Sequence, residues 1–427
     1  MSTGPLPGFR DFYPEQYAER AFIEQTWREV ASRYALTEYD GPPLEPTELY
    51  TRKSGDEIVG QLYNFTDKGD RAVALRPEMT PTLARMVSAR ANALPKPVRW
   101  FSIPQLFRYE RAQRGRLREH FQLNVDLVGE ADVRADAELV SCAVDMLRAF
   151  GLTHDDIVVR FSDRRLLNSI LASAGVTSEQ ATTVYAVFDK IRRQPTQVSL
   201  EKLVSAGLSA DTAQTLLVLA AARETAGATL ELLGERAGDP EVERVVRYQQ
   251  HVGSLLGDSA DRWLTLDLSI VRGLAYYTGI VFEIFDRKGE LRAICGGGRY
   301  DGLLAAVGGV DLPALGFGMG DVVLAELLRD RGLMAAEPAG LDYWVAGEGD
   351  AEPDVLRVAG GLRRRGRRVE YALRAQSLAA QMKAASRARA RHVVIVRPEQ
   401  PPEIRLVIKT LADGAEQMMS IAQILQD

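Results

Sequence analysis

The chain is poor in sulfur and in histidine: two cysteines, Cys142 and Cys295, and four histidines in 427 residues. Two cysteines cannot build a disulfide framework. Neither lies in a CxxC pair, so a cysteine-type zinc site is excluded and a reducing compartment is expected. His120, His154, His251 and His392 are scattered, so they offer no histidine metal centre or triad, and each reads as a surface or packing residue. No apolar run reaches the ~18 residues that span a bilayer. Met1 to Arg10 lacks a basic stretch followed by an apolar one, so no export signal is read. The expectation is a soluble, cytoplasmic protein with no membrane partner. Four catalytic signatures are also missing: the GxxxxGK[ST] phosphate loop, GxGxxG after an opening strand, HExxH and GxSxG.

What is present is an ordinary globular balance, with 46% hydrophobic and 26% charged residues. At roughly 150 residues per domain, the length predicts two or three domains. A net charge of −5 argues against a general polyanion binder. The charge is uneven, however. Of the 53 basic residues eight are Lys and 45 are Arg, and 11 basic residues with one acid, Glu370, fall between Arg357 and Arg391. That stretch suits an RNA-facing surface, and a solvated helix face explains it equally well.

A helix is predicted over Glu15 to Tyr34, where Ile23, Trp27, Val30 and Tyr34 form one apolar stripe. Strand-like runs follow at Gln61 to Phe65, Ala72 to Leu75 and Val98 to Phe107. A helix opens near Thr80-Pro81, with Thr80 as its cap. Phe121 to Leu127 reads as a strand and Asp132 to Phe150 as a helix. Helical patterns dominate from Ser162 to Gly257. Strands return at Trp263 to Leu268, Gly279 to Phe285 and Leu291 to Ile294. The cluster Gly296-Gly297-Gly298 reads as a turn, and Gly316, Gly318 and Gly320 lead into a helix from Asp321 to Arg331. After Pro338, strands and helices alternate (Tyr343 to Ala346, Pro353 to Arg365, Arg367 to Tyr371, Ser377 to Ala388, His392 to Val396, Arg405 to Ile408). This predicts a small α/β domain with a mostly parallel sheet. The expected division is 1–161, 162–257 as a helical insertion, 258–335 and 340–427.

Four short stretches could carry chemistry. Phe107 to Gln122, FRYERAQRGRLREHFQ, sets Arg108, Arg111, Arg114, Arg116 and Arg118 around Gly115 between two strands, with Glu110 and Glu119 among them. Planar guanidinium forks suit phosphate, and a charged hairpin in solvent is the plain alternative. Leu75 to Thr80, LRPEMT, puts Glu78 and Thr80 on one side if extended, where they could hold an ammonium; a helix-start pair is equally consistent. Arg272 to Tyr277, RGLAYY, pairs a cation with Tyr276 and Tyr277, suited to a polar ring and an anion or to a core with one surface Arg. Gly296 to Gly302, GGGRYDG, permits a ligand to approach the backbone closely.

Taken in order, these stretches resemble the histidyl-tRNA synthetases, which are class II aminoacyl-tRNA synthetases. PGFRDFYPE, the helix after it and PPLEPTELYTR resemble that family's first motif, a dimer-interface element. LRPEMT resembles LRPEGT. FRYERAQRGRLREHFQ resembles the second motif, and RGLAYYTG and GGGRYDGL resemble the two histidine signatures, RGLDYY and GGRYDGL. SDRRLL with the later FDKI resembles the eukaryotic and archaeal branch. QSLAAQMKAASRARARHVVIV resembles part of the anticodon-binding domain.

The resemblance implies an α+β fold: an antiparallel class II sheet flanked by helices, a helical insertion and a C-terminal α/β anticodon-binding domain. It implies a homodimer that takes L-histidine, ATP with Mg²⁺, and tRNA(His). Arg108 would contact the α-phosphate, Glu110 the adenine amino group and Arg116 the β,γ-phosphates. Glu78 and Thr80, with Gln122, would bind the α-amino group. Asp126 and Tyr277 would read the imidazole, with Tyr276 lining the pocket, and Arg272 would be the cation at the reacting carboxylate. Three positions depart from the family pattern: Val323 where the third motif ends in an arginine that packs on adenine, Ala275 in RGLAYY, and Met79 in LRPEMT. A non-catalytic relative, such as the regulatory subunit of ATP phosphoribosyltransferase, is the alternative that Val323 suggests. A module sensing histidine or uncharged tRNA is a third.

Overall fold

The computed structural model describes residues 4–51, 59–111, 113–223, 238–271, 277–334 and 340–426. The chain folds into two units, Met1–Ala336 and Glu337–Asp427.

In the first unit the described elements run α1 (Pro14–Arg33), β1 (Thr37–Glu38), β2 (Leu44–Pro46), α2 (Thr47–Thr51), β3 (Tyr63–Thr66), β4 (Ala72–Leu75), α3 (Thr80–Ala89), β5 (Val98–Ser102), β6 (Gln105–Phe107), β7 (Glu119–Val128), α4 (Val133–Arg148) and β8 (Ile157–Asp163). The helices α5 (Arg164–Ser173), α6 (Ser178–Lys190), α7 (Thr196–Ser205), α8 (Ala210–Ala221), α9 (Pro240–Leu256) and α10 (Ala260–Trp263) follow. The unit closes with β9 (Leu264–Leu266), β10 (Ile280–Asp286), β11 (Cys295–Arg299), α11 (Leu303–Gly308), β12 (Ala314–Gly320) and α12 (Asp321–Asp330).

The nine-stranded sheet has the order β1-β5-β7-β12-β11-β10-β8-β9, with β6 also on β7. Its pairings are antiparallel except at the two ends, β1–β5 and β8–β9. Strand alternation gives each face its character. On β7, Leu123, Val125 and Leu127 enter the main core. That core also holds the α1 stripe residues Ile23, Trp27 and Val30 and the apolar face of α4. Asp132 caps α4 by accepting from the Arg134 amide at 2.9 Å. The other face carries His120, Gln122, Asn124 and Asp126. One end of that face is covered by a second core, in which Leu83, Ala84 and Val87 of α3 meet Leu303 and Leu304 of α11. The helical stretch is anchored by Arg244 of α9, which reaches Asp163 at the end of β8 at 2.5 Å.

Three local expectations are corrected. Thr80 is the first residue of α3 rather than its cap, and Met79 precedes it in an αR conformation without a side-chain cap bond. The run Val98 to Phe107 is two strands, broken at Ile103-Pro104 because proline donates nothing to a ladder. The glycine cluster Gly296 to Gly298 is no turn: it lies within β11, paired on both sides, and Leu291 to Ile294 precedes that strand.

The second unit contains β13 (Tyr343–Ala346), α13 (Glu352–Arg364), β14 (Val369–Tyr371), α14 (Leu378–Arg387), β15 (His392–Val396), β16 (Leu406–Thr410), β17 (Glu416–Met419) and α15 (Ile421–Ile424). The sheet order is β14-β13-β15-β16-β17. Only the pairs made by β13 are parallel; β15–β16 and β16–β17 are antiparallel, so the sheet is mixed. β17 escaped the sequence because Glu416, Gln417 and Met418 are all exposed and show no alternation.

Candidate functional site

The polar face of the central sheet is paved with glycine. Gly316, Gly318 and Gly320 of β12 stand opposite Asp126, Asn124 and Gln122 of β7, and Gly298 and Gly296 of β11 stand opposite Gly316 and Gly318. Side chains at these points would fill the space used by their neighbours. A β-carbon on Gly316 would collide with the Asp126 carboxylate and lie 2.9 Å from the Tyr300 hydroxyl. One on Gly318 would occupy the place of the Gln122 amide nitrogen, and one on Gly298 would lie 3.0 Å from the Tyr277 ring. Asp126, Tyr277 and Tyr300 therefore converge on one glycine-floored hollow, with Gln122 beside it. The buried Glu283 of β10 faces the same floor across Gly296.

Asp126 is buried, and the Tyr300 hydroxyl donates to its Oδ1. Burial pushes its carboxyl up to about 7, and the tyrosine bond acts in the opposite direction. A carboxyl balanced near neutrality can accept from, or donate to, a ring nitrogen. Tyr300 is held by a buried clamp. The neighbouring Arg299, 1% exposed, pairs with Asp136 at 2.7 Å and with Asp301 at 3.2 Å. Thr278, next to Tyr277, donates from its hydroxyl to Asp301 at 3.1 Å and from its amide to the Arg299 carbonyl at 2.7 Å. Neither Tyr300 nor this clamp was assigned from the sequence, although Arg299, Tyr300 and Asp301 all lie within GGGRYDG.

At the neighbouring end, β6 and β7 are joined by the loop that carries the arginines. Gly115 turns it with φ +72°, and Gln113 and Arg116 bridge across it. Arg116 pairs with the buried carboxylate of Glu110. Arg108 donates from Nε to the Pro77 carbonyl at 2.9 Å, and the Phe107 amide bonds the Arg76 carbonyl at 3.0 Å. These bonds lay LRPEMT alongside the second stretch, so Glu78 and Thr80, both half-buried, are brought to Arg108. Because Met79 is in an αR conformation, the two are not an extended pair, and of the two readings the sequence left open they sit at the helix start. Arg76 is itself buried, pinned to Asp40 at 2.7 Å and to the Gly41 carbonyl.

His120, of the two readings the sequence allowed, is the packing one, half-buried on the sheet face. It lies on the same face as Gln122, with Nε2 3.2 Å from Gln122 Oε1. Burial and then Arg108 push its pKa down to about 4, and it stays neutral. Arg10, from PGFRDF, joins Glu119 at 2.7 Å and Asp321 at 2.9 Å, and Asp321 accepts the Phe121 amide at 3.0 Å. It thus ties the start of β7 to the start of α12. Arg272 and Tyr276, and Ala275 with them, lie outside the described residues.

A nine-stranded antiparallel-centred sheet, a phosphate-suited arginine hairpin and a glycine-floored polar hollow define a class II aminoacyl-tRNA synthetase core. The histidyl-tRNA synthetase family profile matches residues 8–321, and an anticodon-binding domain profile matches 344–426. The chain belongs to the histidyl-tRNA synthetase family. It is 44% identical to the histidine--tRNA ligase of Opitutus terrae over 92% of this chain and 91% of that one. It is 42% identical to that of Haloarcula marismortui, over 96% and 94%. It is 37% identical to the chloroplastic/mitochondrial enzyme of Arabidopsis thaliana, over 99% and 86%. Among solved structures, histidyl-tRNA synthetase from a Nostoc species superposes with a TM-score of 0.83 at 22% identity, covering 100% and 99% of the two chains. A Bacillus halodurans protein described as an ATP phosphoribosyltransferase regulatory subunit/histidyl-tRNA synthetase gives 0.75 at 23%, covering 90% and 97%. At those identities the likeness is one of fold.

Proposed function

We propose that the protein activates L-histidine with ATP to histidyl-adenylate, releasing diphosphate, and then transfers histidine to the 3′ end of tRNA(His), releasing AMP. The observation that carries this reading is the joining of the Asp126–Tyr277–Tyr300 hollow to the Arg108–Arg116 loop on one sheet face. A ring-reading pocket and an anion-binding hairpin then serve one substrate pair.

The chemistry asks for little proton transfer. A carboxylate oxygen of histidine attacks the α-phosphorus, the bond to the β-phosphate oxygen breaks, and diphosphate leaves. Two anions must be held together, so fixed cations supply the stabilisation and binding supplies the geometry. Arg108 holds the α-phosphate, Arg116 the β,γ-phosphates and Glu110 the adenine amino edge. Arg116 must therefore leave Glu110 when ATP enters. Glu78, Thr80 and Gln122 take the α-ammonium, and Asp126 and Tyr277, with Tyr276, take the imidazole. Arg272 is the cation between carboxylate and phosphate. Among the described residues no group of three or more His, Cys, Asp or Glu is poised for a metal. Mg²⁺ commonly rides on substrate phosphates with few protein ligands. We place it on the triphosphate, where it offsets charge.

The proposed organisation is a catalytic core of 1–161 and 258–335, an insertion of 162–257 and an anticodon-binding unit of 340–427. Homodimerisation through the N-terminal segment is supported by its exposed apolar side chains, Leu6, Tyr13, Tyr17 and Phe65. Among the described residues no helix is long and apolar enough to cross a membrane. We place the activity in the cytoplasm, with the other components of translation. Val323 favours the non-catalytic alternative, and the anticodon-domain match over 344–426 weighs against it.

The direct check is charging of tRNA(His) with labelled histidine. Arg108→Ala should lose roughly 100-fold or more in kcat/KM, the scale of one electrostatic contributor. Arg272→Ala should lose as much, and near-normal adenylate formation by either variant would remove it from the mechanism.

A further inference from the structure

The nucleotide end of the site has a gap in its charge. Three elements meet at the tip of the arginine loop. A β-carbon on Gly115 would lie 3.4 Å from Val323 Cγ2 of α12 and 3.8 Å from Arg292 Cδ, on the connection between β10 and β11. Val323 is 9% exposed and carries no charge, so the α12 wall of this corner is apolar.

The loop's own arginines are largely committed. Arg114 reaches Glu326 at 3.4 Å and Asp330 at 3.7 Å, both on α12. Arg116 pairs with Glu110. Arg118 donates to the Glu110 carbonyl at 3.1 Å and lies 4.3 Å over the Tyr109 ring. Arg108 is bonded to the Pro77 carbonyl. Arg111 on the loop and Arg292 differ: both are exposed, and among the described residues neither has an ion pair or side-chain hydrogen bond, but it is Arg292 whose stem meets the loop tip. Its backbone is nevertheless fixed, because Asp286 accepts the Leu291 amide at 3.0 Å and the Glu290 amide at 3.3 Å. The stem of Arg292 is thus set against the loop tip while its guanidinium is uncommitted.

Resting on the proposed ATP-dependent activation, we propose that Arg292 packs its guanidinium over the purine ring of bound ATP and is the base-clamping cation of this site, at the corner where Val323 provides none. A guanidinium is planar and weakly hydrated, and it stacks on aromatic faces. A purine gripped at its amino edge by Glu110 still presents an open face. Arg292 comes from a different strand connection than α12, so the clamp closes from the β10–β11 side, across the loop tip from Val323.

The test compares the wild-type protein with Arg292→Ala, Arg292→Lys and the double variant Arg292→Ala/Val323→Arg. Two readouts are used: histidine-dependent ATP–pyrophosphate exchange and direct ATP binding by calorimetry. Arg292→Ala is expected to raise the ATP KM and Kd about tenfold, the scale of a partly desolvated cation–ring contact. The histidine KM should stay within twofold. Lys, which lacks the planar fork, should recover only part of the loss, and an arginine at 323 should recover most of it. ATP affinity within twofold of wild type in Arg292→Ala would overturn the proposal, whatever the double variant does. Binding is read apart from exchange, so the two claims separate. A wild-type protein that binds ATP without exchanging pyrophosphate defeats the catalytic reading alone, and the Arg292 effect on Kd still decides the clamp. A wild-type protein that binds no ATP defeats both.

Discussion

Asp126 concentrates the physics of the site in one residue. Its carboxyl sits near pKa 7 because burial disfavours the charge. The unfolded chain would ionise near 3.8. A raised value means that the folded protein binds the proton more tightly, so this contribution to stability is fully present at low pH. It is lost as the pH climbs through about 7. Asp126→Asn removes the titration. Thermal melts of the histidine-free protein should show wild type losing ground to Asp126→Asn between about pH 5 and pH 7, with a constant gap above that. The same variant should raise the histidine KM at least tenfold at pH 8 and leave the ATP KM alone, which steady-state exchange would resolve. Equal histidine KM values would remove Asp126 from imidazole recognition. Arg108, Glu110 and Gln122 lay in a stretch singled out by its residues, and Asp126 entered only through the family resemblance. Tyr300 and His120 were given no place in the site, because their roles depend on which strand face they occupy and on which neighbour they meet.

At the scale of elements, β11 and β12 make the hollow possible by having almost no side chains on one face. Gly316→Ala puts a methyl group against Asp126 and Tyr300. The expected result is a protein that remains folded by circular dichroism but loses roughly tenfold or more in histidine affinity; unchanged histidine affinity would show that the floor can yield. The same strands show why part of the fold was hidden. Gly296 to Gly298 has the composition of a turn, and strand propensity is against it. Pairing with β10 and β12 overrides that preference, because each neighbouring strand supplies the ladder bonds that local sequence does not promise. Elements with strong periodicity were legible almost to the residue: α1, α4, β4, β13 and β15. The exposed β17 carried no such signal.

The whole molecule consists of two units. In the second, Arg365 and Arg367 line a cavity of about 290 Å³ together with Tyr343, His392 and Thr410. This is part of the basic stretch that the sequence left open between an RNA surface and a solvated helix. Reversing both charges, Arg365→Glu with Arg367→Glu, should lower tRNA charging at least tenfold and steepen its sensitivity to salt. Pyrophosphate exchange, which needs no tRNA, should be unchanged. A loss of exchange would show that the substitutions damage more than tRNA binding, and unchanged charging would leave the stretch to solvent. The α+β class was legible because the motifs fall in order along the chain. Val323 was legible as an apolar residue at a cation position, but the approach of Arg292 to the same corner was not, since residues 292 and 323 are brought together only by the fold.

The central claim is that this site makes histidyl-adenylate. Its most direct test is ATP–pyrophosphate exchange by the purified chain with each of the twenty amino acids in turn. Exchange stimulated by histidine, with the other nineteen at background, is the result predicted. No exchange with histidine, with tRNA present or absent, would contradict the account and leave a chain that keeps the fold of its family without the reaction.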